Sequence, residues 1–223
     1  EPSIDVWAMD VARFGDYASP QYGTIKSSEN YERRFIMTFP NETLPKGRKQ
    51  KTTALYDRFV NQGAVMGDSF GLENVLWFAD NKEDAHEEPT IKRSRSHDYV
   101  SREVINGRET VGLIEVANFS KHEFKGTDAR KFLDHVMAGK LPKPGRISLS
   151  PMLSYRGKLC GDLTVACFDE NEFMVFGSGA AQEMHRRWFE SHLDKFDVNY
   201  KNRSDEFHGI SIAGPNSRKV LEK

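Results

Sequence analysis

The stretch that decides the fold is Pro151-Met-Leu-Ser-Tyr-Arg-Gly-Lys-Leu-Cys-Gly-Asp-Leu-Thr-Val-Ala-Cys-Phe-Asp-Glu-Asn-Glu-Phe-Met-Val-Phe-Gly-Ser-Gly179. Within it, Leu159 to Phe168 is rich in β-forming side chains, and Phe173 to Phe176 is a second short apolar run. The polar residues between them, 169–171, are typical of a turn. The stretch therefore predicts a β-hairpin.

Asp162 interrupts the first strand of this hairpin. Aspartate is disfavoured inside strands, because it competes for backbone hydrogen bonds and is costly to bury. One interpretation is a structural carboxylate near a strand end, hydrogen-bonded to a neighbouring loop. The other is a carboxylate facing a cavity, where it binds a polar heterocycle or moves a proton. Strand alternation places the small residues Cys160, Thr164 and Ala166 on the same face, which leaves room for a ligand.

The rest of the chain alternates strand and helix signals, which predicts an α+β fold with mixed or antiparallel sheets and packed helices. Thr52 or Thr53, Thr127 and Ser178 are predicted helix caps. We expect strands near 31–39, 75–79, 146–153 and 208–213, and helices near 52–62, 98–107, 127–139 and 180–193.

Composition and charge exclude several classes of function. The 223 residues are 38% hydrophobic and carry 32 basic and 33 acidic side chains, so a net charge of -1 gives no electrostatic argument for binding nucleic acid or a membrane. No His/Cys spacing indicates a metal site, and no G-x-S-x-G or G-x-G-x-x-G occurs. Strand geometry makes a disulfide between Cys160 and Cys167 unexpected.

Several short motifs occur in the order found in one family. The chain resembles the folate-binding aminomethyltransferase domain of glycine cleavage T-proteins, in the version carried by dimethylglycine and sarcosine dehydrogenases. Residues 47–79 resemble the central segment that joins the flavin domain to the folate domain in those proteins. The motifs are Val111-Gly-Leu-Ile-Glu-Val-Ala-Asn-Phe-Ser-Lys121, Gly126-Thr-Asp-Ala-Arg-Lys-Phe-Leu133, Pro151-Met-Leu-Ser-Tyr-Arg-Gly157, Gly161-Asp-Leu-Thr-Val165 and Ile212-Ala-Gly-Pro215.

The resemblance and a polar stretch at residues 80–95 imply the domain organisation. We expect residues 1–90 to be the central segment and residues 91–223 to be the N-terminal part of the folate-binding domain. The resemblance also implies that the sequence is a piece of a longer flavoenzyme, with FAD bound in an N-terminal domain outside it.

In such an enzyme a small N-methyl amine, of the dimethylglycine or sarcosine type, is oxidised and tetrahydrofolate captures the one-carbon unit as methylenetetrahydrofolate. The implied partners are the amine, folate and the rest of the polypeptide. The implied location is a bacterial cytoplasm or a mitochondrial matrix. By itself this piece is expected to be inactive.

The resemblance also assigns residues. Asp162 matches the functional aspartate, with a predicted catalytic role in positioning folate and handling a proton. Phe119, Leu149 and Ser178 match pterin-lining positions, although Ser178 stands where an Asn is usual. Glu115, which replaces an Asp, is interpreted as structural. Tyr155 is left open between the surface and a ligand contact.

Two other functions remain open. One is a flavin-independent, folate-dependent aminomethyl- or methyltransferase, and the other is a non-catalytic folate-binding module. Trp77-Phe-Ala79, which belongs to the central segment, favours the flavoenzyme, because stand-alone T-proteins lack that segment. The presence of Asp162 weakens the non-catalytic alternative.

Overall fold

The structure is a computed structural model and describes residues 7–40 and 42–222. It divides into two compact units. Unit 1 contains the described residues up to Gly15 and Asn118–Phe207, and unit 2 contains Asp16–Ala117 and the described residues from His208 onward. The helices are α1 (Pro20–Glu32), α2 (Tyr56–Asn61), α3 (Ser96–Glu109), α4 (Ala129–Val136), α5 (Gln182–Glu190) and α6 (Ser217–Leu221). The strands are β1 (Ala64–Ser69), β2 (Leu72–Phe78), β3 (Gly112–Glu115), β4 (Ser120–Lys125), β5 (Arg146–Leu153), β6 (Leu159–Asp169), β7 (Glu172–Gly177), β8 (Asn199–Asn202) and β9 (Ile210–Ala213).

Unit 1 is built on a five-stranded antiparallel sheet with the order β5-β6-β7-β4-β8. The predicted hairpin is its centre, formed by β6 and β7. One face of the sheet carries the core, because Leu163, Val165 and Phe173 alternate with outward residues and are fully buried. Helix α4 lays its apolar stripe of Ala129, Phe132, Leu133 and Val136 on this core, and α5 adds Phe189. The predicted α+β class with antiparallel sheets is confirmed.

A register shift changes the predicted faces of β6. Met152 lies opposite Gly161 and Leu153 opposite Leu159, so Cys160 has no partner on β5. Cys160 packs against the core cluster, which also contains Cys167. The expectation that Cys160 shares a face with Asp162 is therefore wrong, because a bulged residue breaks the two-residue alternation. Both cysteines are free thiols.

Unit 2 contains two separate two-stranded antiparallel sheets, β1-β2 and β3-β9. Trp77 of β2 is the centre of a small core with Val65 and Ala79, and its ring lies 4.8 Å from that of Tyr99 on α3. The predicted strand near 75–79 corresponds to β2. The predicted helix near 98–107 corresponds to α3, which is longer at both ends.

Other element predictions need correction. The strand expected near 31–39 is wrong, because α1 runs to Glu32 and is started by Ser19, whose Oγ accepts a hydrogen bond from Tyr22 N at 3.1 Å. Thr52 and Thr53 lie before the start of α2, whose N-cap Leu55 makes no side-chain cap.

The other two expected caps are also wrong. Thr127 donates to Asp197 Oδ2 at 2.7 Å instead of capping, and α4 begins at Ala129. Ser178 makes no side-chain cap either, and a short 3-10 turn, Gly179–Ala181, precedes α5.

Each of the two units consists of two separate segments of the chain, so the units alternate along the sequence. The boundary between residues 90 and 91 therefore stays a prediction, and residues 1–6 of the expected central segment lie outside the described residues. Within the described ranges, none of the helices has both the length and the apolar character that crossing a membrane requires.

Candidate functional site

The face of the unit 1 sheet opposite the core carries the predicted site, and we call it the Asp162 face. Directly paired residues form one row across four strands: Leu149 lies opposite Thr164, Thr164 opposite Phe176, and Phe176 opposite Lys121. Asp162, two residues before Thr164, lies opposite Pro151 and therefore diagonal to Leu149. Because paired residues in an antiparallel sheet share a face, Asp162 and Leu149 point to the same side.

The Asp162 side chain is exposed on this face. Among residues 7–40 and 42–222, no hydrogen-bond or ion-pair partner contacts its carboxylate. The loop hydrogen bond required by the structural interpretation is therefore not observed. Of the small neighbours expected on the same face, Thr164 and Ala166 are there and Cys160 is not.

Phe119 and Ser178 lie just beyond the ends of β4 and β7. Ser178 keeps an extended backbone, with φ -64° and ψ 133°. Continuing the observed register by two residues places Ser178 opposite Asp162, and Phe119 opposite Ser178. Since neighbouring strands lie about 4.8 Å apart, this second row would bring Asp162 within about 10 Å of Phe119.

Close backbone packing fixes that corner of the face. A Cβ on Gly179 would lie 2.0 Å from the carbonyl oxygen of Asn118, so only glycine fits there. The segment Asn118-Phe119 is thereby held against Ser178-Gly179. The observed pairing thus places Leu149 and Asp162 on one face of the sheet, and Phe119 and Ser178 lie just beyond the ends of β4 and β7. The roles of all four residues remain predictions.

Leu149 and Phe119 offer apolar surface beside the carboxylate. Leu149 is 65% exposed and Phe119 is 49% exposed, so both side chains offer apolar surface to a ligand. An unpartnered carboxylate next to exposed apolar walls suits a flat heterocycle whose ring nitrogens need a hydrogen-bond acceptor. The residues present therefore fit a pterin group.

Lys121 is a residue of this face that the sequence prediction missed. Its side chain is 4% exposed, and its Nζ donates to the carbonyl oxygen of Phe119 at 2.7 Å and to that of Ser204 at 3.3 Å. Burial lowers the pKa of Lys121, and the nearby Asp205 opposes this shift. A prediction of β4 as a strand would have placed Lys121 on the Asp162 face. The polar residues of β4 are not typical of a buried strand, so the sequence did not predict one.

Two histidines lie behind the sheet, on the core side. His122 Nδ1 lies 2.8 Å from the Tyr200 hydroxyl, and the rings of His122 and His185 are 6.2 Å apart. Burial, together with the neighbouring His185, lowers the pKa of His122 to about 3, and burial also lowers the pKa of His185. His185 is buried, because α5 turns it inward over Gly161 and Gly177.

Tyr155 and Glu115 are the other two motif residues that the sequence analysis singled out. Each of them contacts a histidine. Tyr155 is 88% exposed, and its hydroxyl lies 3.0 Å from His192 Nε2, beside the Trp188 ring of α5. It therefore contacts the helical side of the sheet. The carboxylate of Glu115 lies 3.3 Å from His208 Nε2 in unit 2. No group of three His, Cys, Asp or Glu side chains suited to a metal ion occurs in the part of the chain that the structure describes.

Comparison with family models gives two matches that cover nearly the whole chain. Residues 55–223 match the model described as the GCVT N-terminal domain. Residues 1–53 match the model described as the FAD dependent oxidoreductase central domain. These matches confirm the resemblance inferred from the motifs.

Similar curated proteins fall into two groups. The mitochondrial dimethylglycine dehydrogenases of Mus musculus and Homo sapiens are each 33% identical over 227 residues, covering 100% of this chain and 26% of each relative. The aminomethyltransferase of Thermosipho melanesiensis is 28% identical over 175 residues, covering 78% of this chain and 43% of the relative. The chain thus spans about a quarter of the length of the dehydrogenases that it matches.

A solved structure shares the fold. The crystal structure of the glycine cleavage system aminomethyltransferase T from Bartonella henselae superposes with a TM-score of 0.60, at 20% identity, over 77% of this chain and 43% of that one. At this identity the likeness concerns the fold, and it agrees with the antiparallel sheet and packed helices described above.

Proposed function

Because the chain belongs to the family of the GCVT N-terminal domain, we propose that it is the tetrahydrofolate-binding part of an FAD-dependent N-methyl amine dehydrogenase or oxidase. The amine is of the dimethylglycine or sarcosine type, and the one-carbon unit leaves as methylenetetrahydrofolate. Support comes from the relatives named dimethylglycine dehydrogenase, which align with the whole chain. The match of residues 1–53 to the central domain favours this function over a flavin-independent aminomethyltransferase.

We also propose a wider organisation for the chain. Residues 1–90 join a flavin domain to the folate domain, and residues 91–223 form the first part of the folate domain. The partners are the amine, folate and the rest of the polypeptide, in a mitochondrial matrix or a bacterial cytoplasm. FAD is assigned to none of the described residues, since the sequence has no dinucleotide fingerprint.

One observation carries the proposal: within the described ranges, Asp162 presents a carboxylate without a protein partner on the same sheet face as the exposed apolar side chain of Leu149. Tetrahydrofolate, when bound, supplies a nucleophilic nitrogen for the one-carbon electrophile. Asp162 orients the ring through its carboxylate and holds the proton that the nitrogen gives up. Leu149 and Phe119 cover the two sides of the ring and exclude water, and Ser178 offers a hydroxyl at the edge.

The substitution Asp162→Asn tests this role in the protein at its full encoded length. We expect the amount of methylenetetrahydrofolate formed per amine oxidised to fall about a hundredfold, because general acid-base groups contribute on that order. The matched control is Asp134→Asn, an exposed carboxylate on α4 at the helical side of the sheet. Equal product ratios for Asp162→Asn and wild type would remove the assigned role.

A further inference from the structure

We propose that Lys121 is a positioning residue that holds Phe119 in place as a wall of the folate site. This inference rests on the proposed function. Lys121 does not contact the ligand in the proposal; it acts through the backbone of Phe119.

The contacts of Lys121 tie two segments together. Its ammonium donates to the carbonyl oxygens of Phe119, before β4, and of Ser204, after β8. The backbone of Lys121 repeats the link, since its N–H donates to Ser204 Oγ at 2.9 Å and its carbonyl accepts from Arg203 N at 2.8 Å. Ser204 is itself fixed, because its N–H donates to Asn202 Oδ1 at 3.1 Å. The ammonium therefore anchors Phe119 to a rigid neighbour.

Phe119 needs such an anchor. It lies at a bend just before β4 and takes no part in the strand pairing, which begins at Ser120 opposite Gly177. Among the residues that the structure describes, the Lys121 ammonium donates to the carbonyl oxygen of Phe119, and Asn118 packs against Gly179. Both contacts hold the backbone of Phe119. An aromatic wall stacks on a flat ring only in a narrow range of orientations, so the position of this backbone sets the quality of the wall.

A purely structural explanation accounts less well for the charge. Burying an ammonium group is costly, and a neutral side chain would fill the same volume without that cost. Lys125, which lies on the same strand and the same face, stays half exposed and pairs with the carboxylates of Glu123 and Glu172. The Lys121 ammonium has the acidic Asp205 nearby, and it also donates to two backbone carbonyls, of which that of Phe119 lies at the edge of the predicted site. Charged donors make strong hydrogen bonds of this kind.

A double-mutant cycle between Lys121 and Phe119 tests the inference. In the protein at its full encoded length, tetrahydrofolate affinity is measured for wild type, Lys121→Met, Phe119→Ala and the double variant. We expect Lys121→Met to weaken binding about tenfold, since a hydrogen bond to a charged group contributes on that order. In the Phe119→Ala background the same change should have little further effect, because the wall that it positions is gone. Lys121→Gln, which keeps an N–H donor, should fall between wild type and Lys121→Met.

The matched control is Lys125→Met, which should leave tetrahydrofolate affinity unchanged. Circular dichroism of each variant checks that it is folded. Equal weakening by Lys121→Met in the wild-type and Phe119→Ala backgrounds, or no weakening in either, would overturn the positioning role. If wild type itself bound no tetrahydrofolate, the proposed function would fall. If wild type bound tetrahydrofolate and Lys121→Met bound it with the same affinity, the proposed function would stand and this inference would not.

Discussion

Arg48 and Glu73 form a two-pronged ion pair inside unit 2. Arg48 Nε lies 2.9 Å from Glu73 Oε1, and Arg48 Nη2 donates to Glu73 Oε2 and, at 3.0 Å, to the carbonyl oxygen of Met66. The hydrogen bonds to Glu73 raise the pKa of Arg48, and the carboxylate is almost fully buried. The pair joins the loop before α2 to the β1-β2 hairpin.

The substitution Arg48→Met should lower the free energy of unfolding by about 3 to 5 kcal/mol, because it leaves a buried carboxylate without its partner. Urea unfolding followed by circular dichroism measures the change. The matched control is Lys46→Met, which breaks the exposed pair with Glu32 and should cost less than about 1 kcal/mol. Similar losses for the two variants would contradict the prediction.

Acid should destabilise the protein through His122. The pKa of its imidazole is about 3 in the folded state, because of burial and the neighbouring His185, and about 6.5 in an unfolded chain. Below pH 6.5 the unfolded state therefore takes up a proton that the folded state refuses. Stability should fall by about 1.4 kcal/mol per pH unit for this one group as the pH decreases from 6.5 toward 3.

The substitution His122→Phe should remove that share of the slope between about pH 6.5 and pH 5. The absolute stability at neutral pH should also fall, since the Tyr200 hydroxyl loses its partner, and the slope is therefore the quantity to compare. The wild-type protein, measured in the same buffers, provides the reference slope. If the slope of His122→Phe equalled that of the wild type, the pKa of the wild-type His122 would not be lowered by folding, and the prediction would be wrong.

The substitution Gly179→Ala should disturb both stability and folate binding. The new Cβ would lie 2.0 Å from the carbonyl oxygen of Asn118, and a backbone atom cannot turn away. We expect a loss of about 1 to 3 kcal/mol, typical of overpacking, together with weaker tetrahydrofolate binding as Phe119 moves from Ser178.

A glycine in open space gives the opposite expectation. A Cβ added to Gly23, inside α1, would meet no other atom within 4 Å, so Gly23→Ala should raise stability by about 0.5 to 1 kcal/mol. Thermal unfolding of both variants makes the comparison. The prediction fails if Gly179→Ala is as stable as wild type.

Leu149 should matter for binding and hardly for folding. Its side chain is 65% exposed, so Leu149→Ala should change stability by less than about 0.5 kcal/mol. If Leu149 lines the folate site, the same change should weaken tetrahydrofolate binding about tenfold. Isothermal titration provides the measurement.

Ile147 is the control for Leu149. It lies on the same strand and face, is 68% exposed and pairs with Ala166, one row farther from Asp162. Ile147→Ala should bind tetrahydrofolate as wild type does. Equal losses for both variants would mean that the ligand spans a broader surface than the predicted site.

Local patterns predicted the elements whose own residues decide their structure. β5 has the bounds expected from the sequence, and the hairpin of β6 and β7 follows from its apolar runs and the turn between them. The stripe of α4 was readable for the same reason. These elements bury one face of an alternating or helical pattern, which a single sequence shows directly.

Elements that depend on distant partners could not be predicted in this way. β4 buries Ser120, Lys121, His122 and Glu123, polar residues whose types are typical of a surface. Three of them find partners far along the chain: Tyr200 for His122, Ser204 for Lys121 and Arg203 for Glu123. Neither β4 nor the buried Lys121 was predicted from the sequence, because in both cases the partners that make burial possible lie far along the chain.

The site prediction depended on strand alternation and shared its limits. Thr164 and Ala166 fall on the face of Asp162 as expected, while Cys160 does not, because the bulge opposite Met152 and Leu153 turns it inward. Nothing in the sequence around Cys160 marks that bulge. The motif resemblance supplied Phe119, Leu149 and Ser178, which lie on three different strands or strand ends and could not be joined by spacing alone.

The pairing of β3 with β9 determines where the backbone leaves unit 2 and where it returns. Val116 N donates to the carbonyl oxygen of Gly209 at 2.8 Å, so the backbone leaves unit 2 and returns to it at adjacent points. The segment 118–207, the larger of the two parts of unit 1, therefore leaves and re-enters unit 2 at neighbouring points of the chain. Removing this segment would leave β3 paired with β9 in the same register, but Asp10 at the start of unit 1 would lose its ion pair with Arg187.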